Sequence, residues 1–129
     1  MSEKKGIRKE RDLVKILENK GYSAVRVVGS GGGTERPLPD ILTGNAKNIY
    51  GIELKSSSKN VIYIEKHQIQ NLKKFCENFG AIPIICIKFN YIKYTFIKIS
   101  NLTKTDKGNF KITKKALLNI IKNNHELML

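Results

Sequence analysis

The run Ile82-Pro83-Ile84-Ile85-Cys86-Ile87-Lys88-Phe89 restricts the fold more than any other part of the sequence. It is strongly apolar, and its length suits a strand buried on both faces rather than a helix with one apolar stripe. Such a strand needs neighbours on both sides and cover above and below. The segments around it supply both. Leu13, Val14 and Leu17 recur at helical spacing, which predicts a helix over 6–20 ended by Gly21. Ile69, Leu72, Phe75, Cys76 and Phe79 share one face of a second helix over 65–79, ended by Gly80. Thr113 offers an N-cap to a third helix that carries Leu117, Ile120 and Ile121.

Short β-branched stretches predict strands over 23–28, 40–43, 49–55 and 94–99, with 44–48 as the turn of a hairpin and 56–60 as a polar connection. The segment from Gly29 to Pro37, rich in glycine, reads as a flexible loop. The order helix, three strands, helix, two strands, helix predicts an α/β fold with a central mixed five-stranded sheet flanked by helices. At 129 residues the chain has the size of a single domain. Residues 1–6 are expected to form a flexible basic arm and 124–129 a fraying tail.

Charge speaks to partners rather than to fold. The chain holds 24 Lys and Arg against 11 Asp and Glu, a formal net charge of +13, and the natural counter-surface is a polyanion. No apolar run approaches the roughly 18 to 20 residues that span a bilayer, so an integral membrane role is excluded. The charged start Met-Ser-Glu-Lys-Lys-Gly lacks the apolar stretch of a signal peptide, and an intracellular, cytoplasmic and nucleoid-associated location is expected. Cys76 and Cys86 read as small core residues rather than as a disulfide or half of a zinc site.

Within this basic chain a few acids are placed unusually. Glu10 falls on the same helix face as Leu13 and Leu17, where an unpaired carboxylate is costly. In the strand over 49–55, Ile52 and Leu54 point to the core and Glu53 and Lys55 share the opposite face. If Asp40 opens the partner strand, its carboxylate lies beside Glu53, and two like charges that close demand a cation. Carboxylate oxygens and water are the ligands that suit Mg²⁺, with Mn²⁺ as a substitute. Lys55 would then bind the scissile phosphate, stabilise transition-state charge or orient the attacking water. Glu10 would add a ligand directly or through water. The plainer reading is a half-exposed hairpin face with a Glu53–Lys55 ion pair. Convergence of Glu10, Asp40 and Glu53 in a chain with so few acids favours the metal site.

The order Glu10, Pro39-Asp40, Glu53-Leu54-Lys55 resembles the restriction-endonuclease-like nuclease superfamily named for its Pro-Asp, acid-x-Lys signature. Within it the chain is most similar to archaeal-type Holliday junction resolvases. The supporting residues are Arg8-Lys9-Glu10-Arg11, Gly21-Tyr22-Ser23-Ala24-Val25-Arg26, Ser30, Lys66-His67-Gln68 and Phe79-Gly80-Ala81-Ile82-Pro83, and the similarity runs from about Gly6 to Ile99. The resemblance implies a structure-selective endonuclease that acts on four-way DNA junctions, as a symmetric homodimer that places paired nicks. It implies Glu10, Asp40 and Glu53 as metal-site acids, Lys55 as the catalytic lysine, Ser30 as a loop residue near the scissile strand, and Gln68 as a DNA contact. The loop departs from the pattern, because its triple glycine and Glu35 make it less basic than DNA binding would prefer.

Arg8, Lys9, Arg11, Arg36, Lys59 and Lys66 are the further candidates for phosphate contacts, which supply affinity without reading bases. Gly29 to Gly33 lacks the following Gly-Lys-Ser/Thr of a nucleotide-cradling loop. Phe89, Tyr91, Tyr94 and Phe96 read as core or subunit-contact residues more readily than as base-stacking platforms. His67 and His125 carry no catalytic role. Two rival functions remain: another nuclease of the superfamily acting on duplex or flap DNA, and a non-catalytic basic nucleic-acid-binding module.

Overall fold

The computed structural model describes residues 5–29 and 36–129, with the backbone alone for Lys5. Its elements run α1 (Lys5–Asn19), β1 (Ser23–Arg26), β2 (Ile41–Gly44), β3 (Ile49–Ser57), β4 (Val61–Ile64), α2 (Lys66–Phe79), β5 (Ile82–Phe89), β6 (Thr95–Ile97), a 3₁₀ turn (Ile99–Asn101), β7 (Thr103–Lys104), β8 (Phe110–Thr113) and α3 (Lys114–Lys122). The expected strands form one five-stranded sheet in the order β1-β2-β3-β5-β6. It is mixed: β3 and β5 run parallel, with Tyr50 opposite Ile82 and Ser57 opposite Phe89, and every other pair is antiparallel.

β5 is buried on both faces, as its composition requires. Ile84 and Cys86 join Leu13 and Leu17 of α1 in one core. Ile85, Ile87 and Phe89 face the other way, into a larger core with Ile69, Leu72 and Cys76 of α2. Both cysteines are free and buried in these cores. Gly21 and Gly80 take the left-handed conformation that stops α1 and α2, at φ of 93° and 83°. Thr113 caps α3 by accepting the Ala116 N–H at 3.1 Å. The β2–β3 turn is closed by the Asn45 carboxamide oxygen, which accepts the Lys47 and Asn48 N–H groups.

Three features depart from expectation. A second sheet, β4-β8-β7, lies beyond the main one and buries Ile62, Ile64, Phe110 and Ile112 in the α2 core. Helix α1 starts at Lys5, so part of the expected arm is helical. The tail over 124–129 is held rather than frayed. The Leu127 N–H donates to the Phe96 carbonyl at 2.8 Å, Glu126 pairs with Lys93 at 2.7 Å, and Leu127 and Leu129 pack on the α1 core. These contacts bind the chain end to β6 by partners some thirty residues away in sequence, roughly the separation that local patterning cannot read. The glycine loop lies largely outside the described residues.

α2 crosses the sheet very close to β3, and Gly51 is what allows it. A methyl group at Gly51 would stand 2.6 Å from the Cys76 sulfur. Burial pushes the Cys76 thiol up to about 11, so it acts as a neutral filler there. Gly51→Ala is therefore expected to destabilise the fold by about 1–3 kcal/mol, the range for overpacking a filled core. The same substitution made in a Cys76→Ala background should cost clearly less. Urea unfolding of the four proteins in this cycle checks the coupling, and equal costs in both backgrounds would show that the sulfur is not the obstacle.

Candidate active site

The register of β2 on β3 places the acids. Ile41 stands opposite Ile52, and both are fully buried in the α1 core. Alternation then sends Asp40, one residue before, and Glu53, one residue after, to the opposite face. Glu53 and Lys55 share that face, while Ile52 and Leu54 pack on the α1 side. Asp40 is anchored at both its backbone and its side chain: its N–H donates to the Ile52 carbonyl at 2.9 Å, and its Oδ2 accepts the Leu54 N–H at 2.8 Å. Asp40 is only 9% exposed, and the Glu53 side chain only 14%. The Lys55 ammonium sits 3.6 Å from Glu53 Oε2.

Glu10 approaches from the first turns of α1. Its Oε1 accepts from Arg26 Nε of β1 at 3.2 Å in a half-buried ion pair. The three acids lie close enough to feel one another. Glu53 is pushed up to about 7, mainly by burial, next by the Asp40 carboxylate, with a further push from Glu10 and partial relief from Lys55. Burial and the Asp40 charge also raise Glu10, against the lowering effect of Arg26. Yet among the described residues no three His, Cys, Asp or Glu side chains form a group ready to hold an ion. The buried unit is the Asp40–Glu53 pair with Lys55, and Glu10 is set apart by Arg26.

The other expected residues fall as follows. Arg8 and Arg11 are exposed on α1 and Lys9 is half-buried. Arg36 and Lys59 are exposed in connections, and Lys66 is exposed at the start of α2. Gln68 spends its side-chain oxygen on the Glu65 N–H at 3.2 Å, in the capping box of α2. Ser30 lies outside the described residues. The residue that sequence reasoning left without a role is Arg26. Its bond to Glu10 joins positions sixteen apart in different elements, and no spacing rule signals it. Of the aromatics, Phe89 and Phe96 are buried in the cores, whereas Tyr91 is fully solvated in a turn at φ of 66°.

A mixed sheet with Pro-Asp immediately before one strand and Glu-x-Lys on the next, convergent at one buried corner, defines the restriction-endonuclease-like nuclease class. Comparison with known proteins narrows this. The sequence profile of the family described as archaeal Holliday junction resolvase (hjc) matches residues 1–126, and the chain belongs to that family. It is 37% identical over 108 residues to the crossover junction endodeoxyribonuclease Hjc of Archaeoglobus fulgidus, covering 84% of this chain and 78% of the relative. It is 34% identical over 113 residues to the crossover junction endodeoxyribonuclease of Sulfolobus islandicus rod-shaped virus 1, covering 85% and 91%. The solved structure of Archaeoglobus fulgidus Hjc, a Holliday junction resolvase, superposes with a TM-score of 0.78 at 35% identity, covering 84% of this chain and 87% of that one.

The raised pKa values of Glu53 and Glu10 have a consequence for stability without metal. Between about 4.5, the ordinary value, and about 7, folded Glu53 keeps a proton that the unfolded chain has lost. Folding therefore binds protons in this window, and stability falls as pH rises through it. Glu10 shifts in the same direction. In the presence of a chelator, urea unfolding should show the native protein losing stability from pH 5 to pH 7 relative to Glu53→Gln. Parallel pH profiles for the two would refute the burial of this carboxylate.

Proposed function

We propose that this protein is a magnesium-dependent crossover junction endodeoxyribonuclease that hydrolyses phosphodiester bonds at four-way DNA junctions as a homodimer, placing paired nicks in opposing strands. The observation that carries the reading is the Asp40–Glu53 carboxylate pair, nearly buried on one face of β2 and β3 with the Lys55 ammonium beside it. In a chain of net charge +13 the pair marks a local concentration of negative charge. Family membership and the names of the relatives support the junction as substrate.

The donor set fits Mg²⁺: two carboxylates with oxygen donors only, in a corner whose burial leaves Glu53 short of positive charge. Asp40 and Glu53 would hold the ion, Glu10 would assist through water, and Mn²⁺ would substitute. When bound, the ion supplies Lewis-acid stabilisation of phosphoryl charge and lowers the pKa of water. The chain's own residues do the positioning. The Leu54 N–H holds Asp40 Oδ2 and so fixes the orientation of the carboxylate. Lys55 neutralises Glu53 in the resting state. With DNA present its ammonium lies one strand step from the acids, at the place for a non-bridging phosphate oxygen or the attacking water. Water oxygen bonds to phosphorus and gives up a proton to solvent, while the bond from phosphorus to one bridging oxygen breaks and that departing oxygen takes a proton from solvent to leave as a hydroxyl.

The homodimer draws support from an apolar surface at the start of β3, away from the acids. Val25, Ile49 and Phe79 line one shallow groove and are each largely exposed, with Ile82 exposed nearby on β5. Phe79 stacks on Phe75 at 5.2 Å, which presents a flat aromatic pair there.

Asp40→Asn and Glu53→Gln are each expected to lower single-turnover cutting of a synthetic four-way junction by roughly 10²-fold or more, the scale of removing one preorganised charge-stabilising group. Junction affinity should hold or improve, because a negative charge near the DNA is removed. Cutting by either variant at the native rate in Mg²⁺ would overturn the site. Native protein that prefers linear duplex or flaps under competition would move the reading to another nuclease of the superfamily. Salt-sensitive binding with no cleavage in Mg²⁺ or Mn²⁺ would leave a non-catalytic module.

A further inference from the structure

The small sheet β4-β8-β7 takes no part in the site described above, yet its outer face is organised. Its inner face is filled by Ile62, Ile64, Phe110 and Ile112. Alternation puts Tyr63, Lys111 and Thr103 on the outer face, and register places them in one row across the three strands: Tyr63 opposite Lys111, and Lys111 opposite Thr103. Tyr63 is 64% exposed, which is unusual for an aromatic on a paired strand. The segment that carries β7, β8 and α3 is rich in lysine. Between Lys98 and Lys122 the sequence has seven lysines and a single acid, Asp106. Lys107 and Tyr63 line the same shallow pocket, whose other charged residues are the acids Glu65 and Asp106.

This face is held firmly against the catalytic strand. β4 follows β3 after a short turn, and the Lys114 N–H at the head of α3 donates to the Asn60 carbonyl in that turn at 2.8 Å. The β7–β8 turn is closed on itself, with the Thr105 N–H to the Asn109 carbonyl at 2.8 Å and the Gly108 N–H to the Thr105 carbonyl at 2.9 Å. It is fixed to α2 where the Asn109 side-chain oxygen accepts the Lys66 N–H at 2.9 Å. Lysines on a rigid mount at a set position from the cut site are suited to a rigid polyanion, and a duplex arm presents one.

We infer that the outer face of the small sheet is a phosphate-binding surface for a duplex DNA arm leaving the cut site, with Lys107 and Lys111 on the phosphates and the Tyr63 hydroxyl as a neutral donor between them. The inference rests on the proposed DNA substrate, and it names a second contact that the carboxylate corner does not include. Lys107 and Lys111 reach phosphates by charge, so they contribute counterion release and no base selectivity.

The test is the salt dependence of binding by the full chain, with junctions whose arms are about two helical turns long and junctions with arms of about half a turn. For long arms, Lys107→Ala/Lys111→Ala should flatten the plot of log affinity against log salt by about 2 units, close to the 0.9 per phosphate contact of duplex DNA, with affinity lower on the order of tenfold. For short arms the variant and the native protein should match. Tyr63→Phe should weaken long-arm binding without a change of slope. Lys20→Ala/Lys47→Ala, which removes two exposed lysines elsewhere, is expected to leave the slope difference between long and short arms at its native size. Unchanged thermal melting of each variant confirms folding.

A native slope in the Lys107/Lys111 variant on long arms would overturn the inference while the junction reading stands. Equal loss on both arm lengths would overturn it as well, since the lysines would then act at the branch itself. Loss confined to single-stranded DNA in Tyr63→Ala would replace the arm contact by base stacking and so refute it. Absence of junction preference in the native protein is a different result, and would remove the proposed substrate first.

Discussion

The molecule depends on β3 doing two incompatible things on its two faces. On one side Tyr50, Ile52 and Leu54 join the α1 core, where they fix the strand in position. On the other side the same strand carries Gly51, against which α2 closes, and then the Glu53 and Lys55 pair of the polar corner. A period of two makes this division possible, and a slip of one residue would exchange every position between core and site. Two neighbours prevent the slip: β2 through the antiparallel pairing that brings Asp40 to Glu53, and β5 through parallel pairing along the whole strand. The chemistry is therefore as well defined as the sheet register, because the same hydrogen bonds set both.

That arrangement has an electrostatic cost. Two carboxylates are brought together with little water, and Glu53 responds by holding its proton to about 7. Lys55 relieves part of the strain and Arg26 relieves Glu10. The fold thus keeps a corner that is electrostatically costly on its own, and under the proposed reading a bound divalent cation would relieve that cost.

Much of this was legible in the sequence because its signals are local. β5 announced itself by an apolar run, α1 and α2 by spacing and a terminal glycine, and the Glu53–Lys55 face by alternation along β3. The Asp40–Glu53 approach was legible only through the assumption of a hairpin, which Asn45 then makes by closing the turn. What stayed hidden is set by contacts between distant segments. Phe110-Lys111-Ile112-Thr113 and Thr103-Lys104 are too short and too polar to read as strands, and they exist because Ile62 and Ile64 need partners. The tail's place against Phe96 and the Glu10–Arg26 bond are likewise products of assembly.

Gln68 shows how a residue type in a motif can be explained twice. By resemblance it stands among DNA contacts, but its oxygen is committed to the Glu65 N–H, and this bond fixes where α2 begins. Lys66, two residues earlier, is fixed in turn by the Asn109 side chain from the small sheet. The start of α2 is therefore a joint between the site's own face of the main sheet and the second sheet. A helix start held from both sides transmits position: movement of the small sheet relative to β3 would have to break the Asn109 bond or the Asn60 bond to the head of α3. Polar residues at this joint have a structural role of their own, in fixing where α2 begins and tying it to the small sheet.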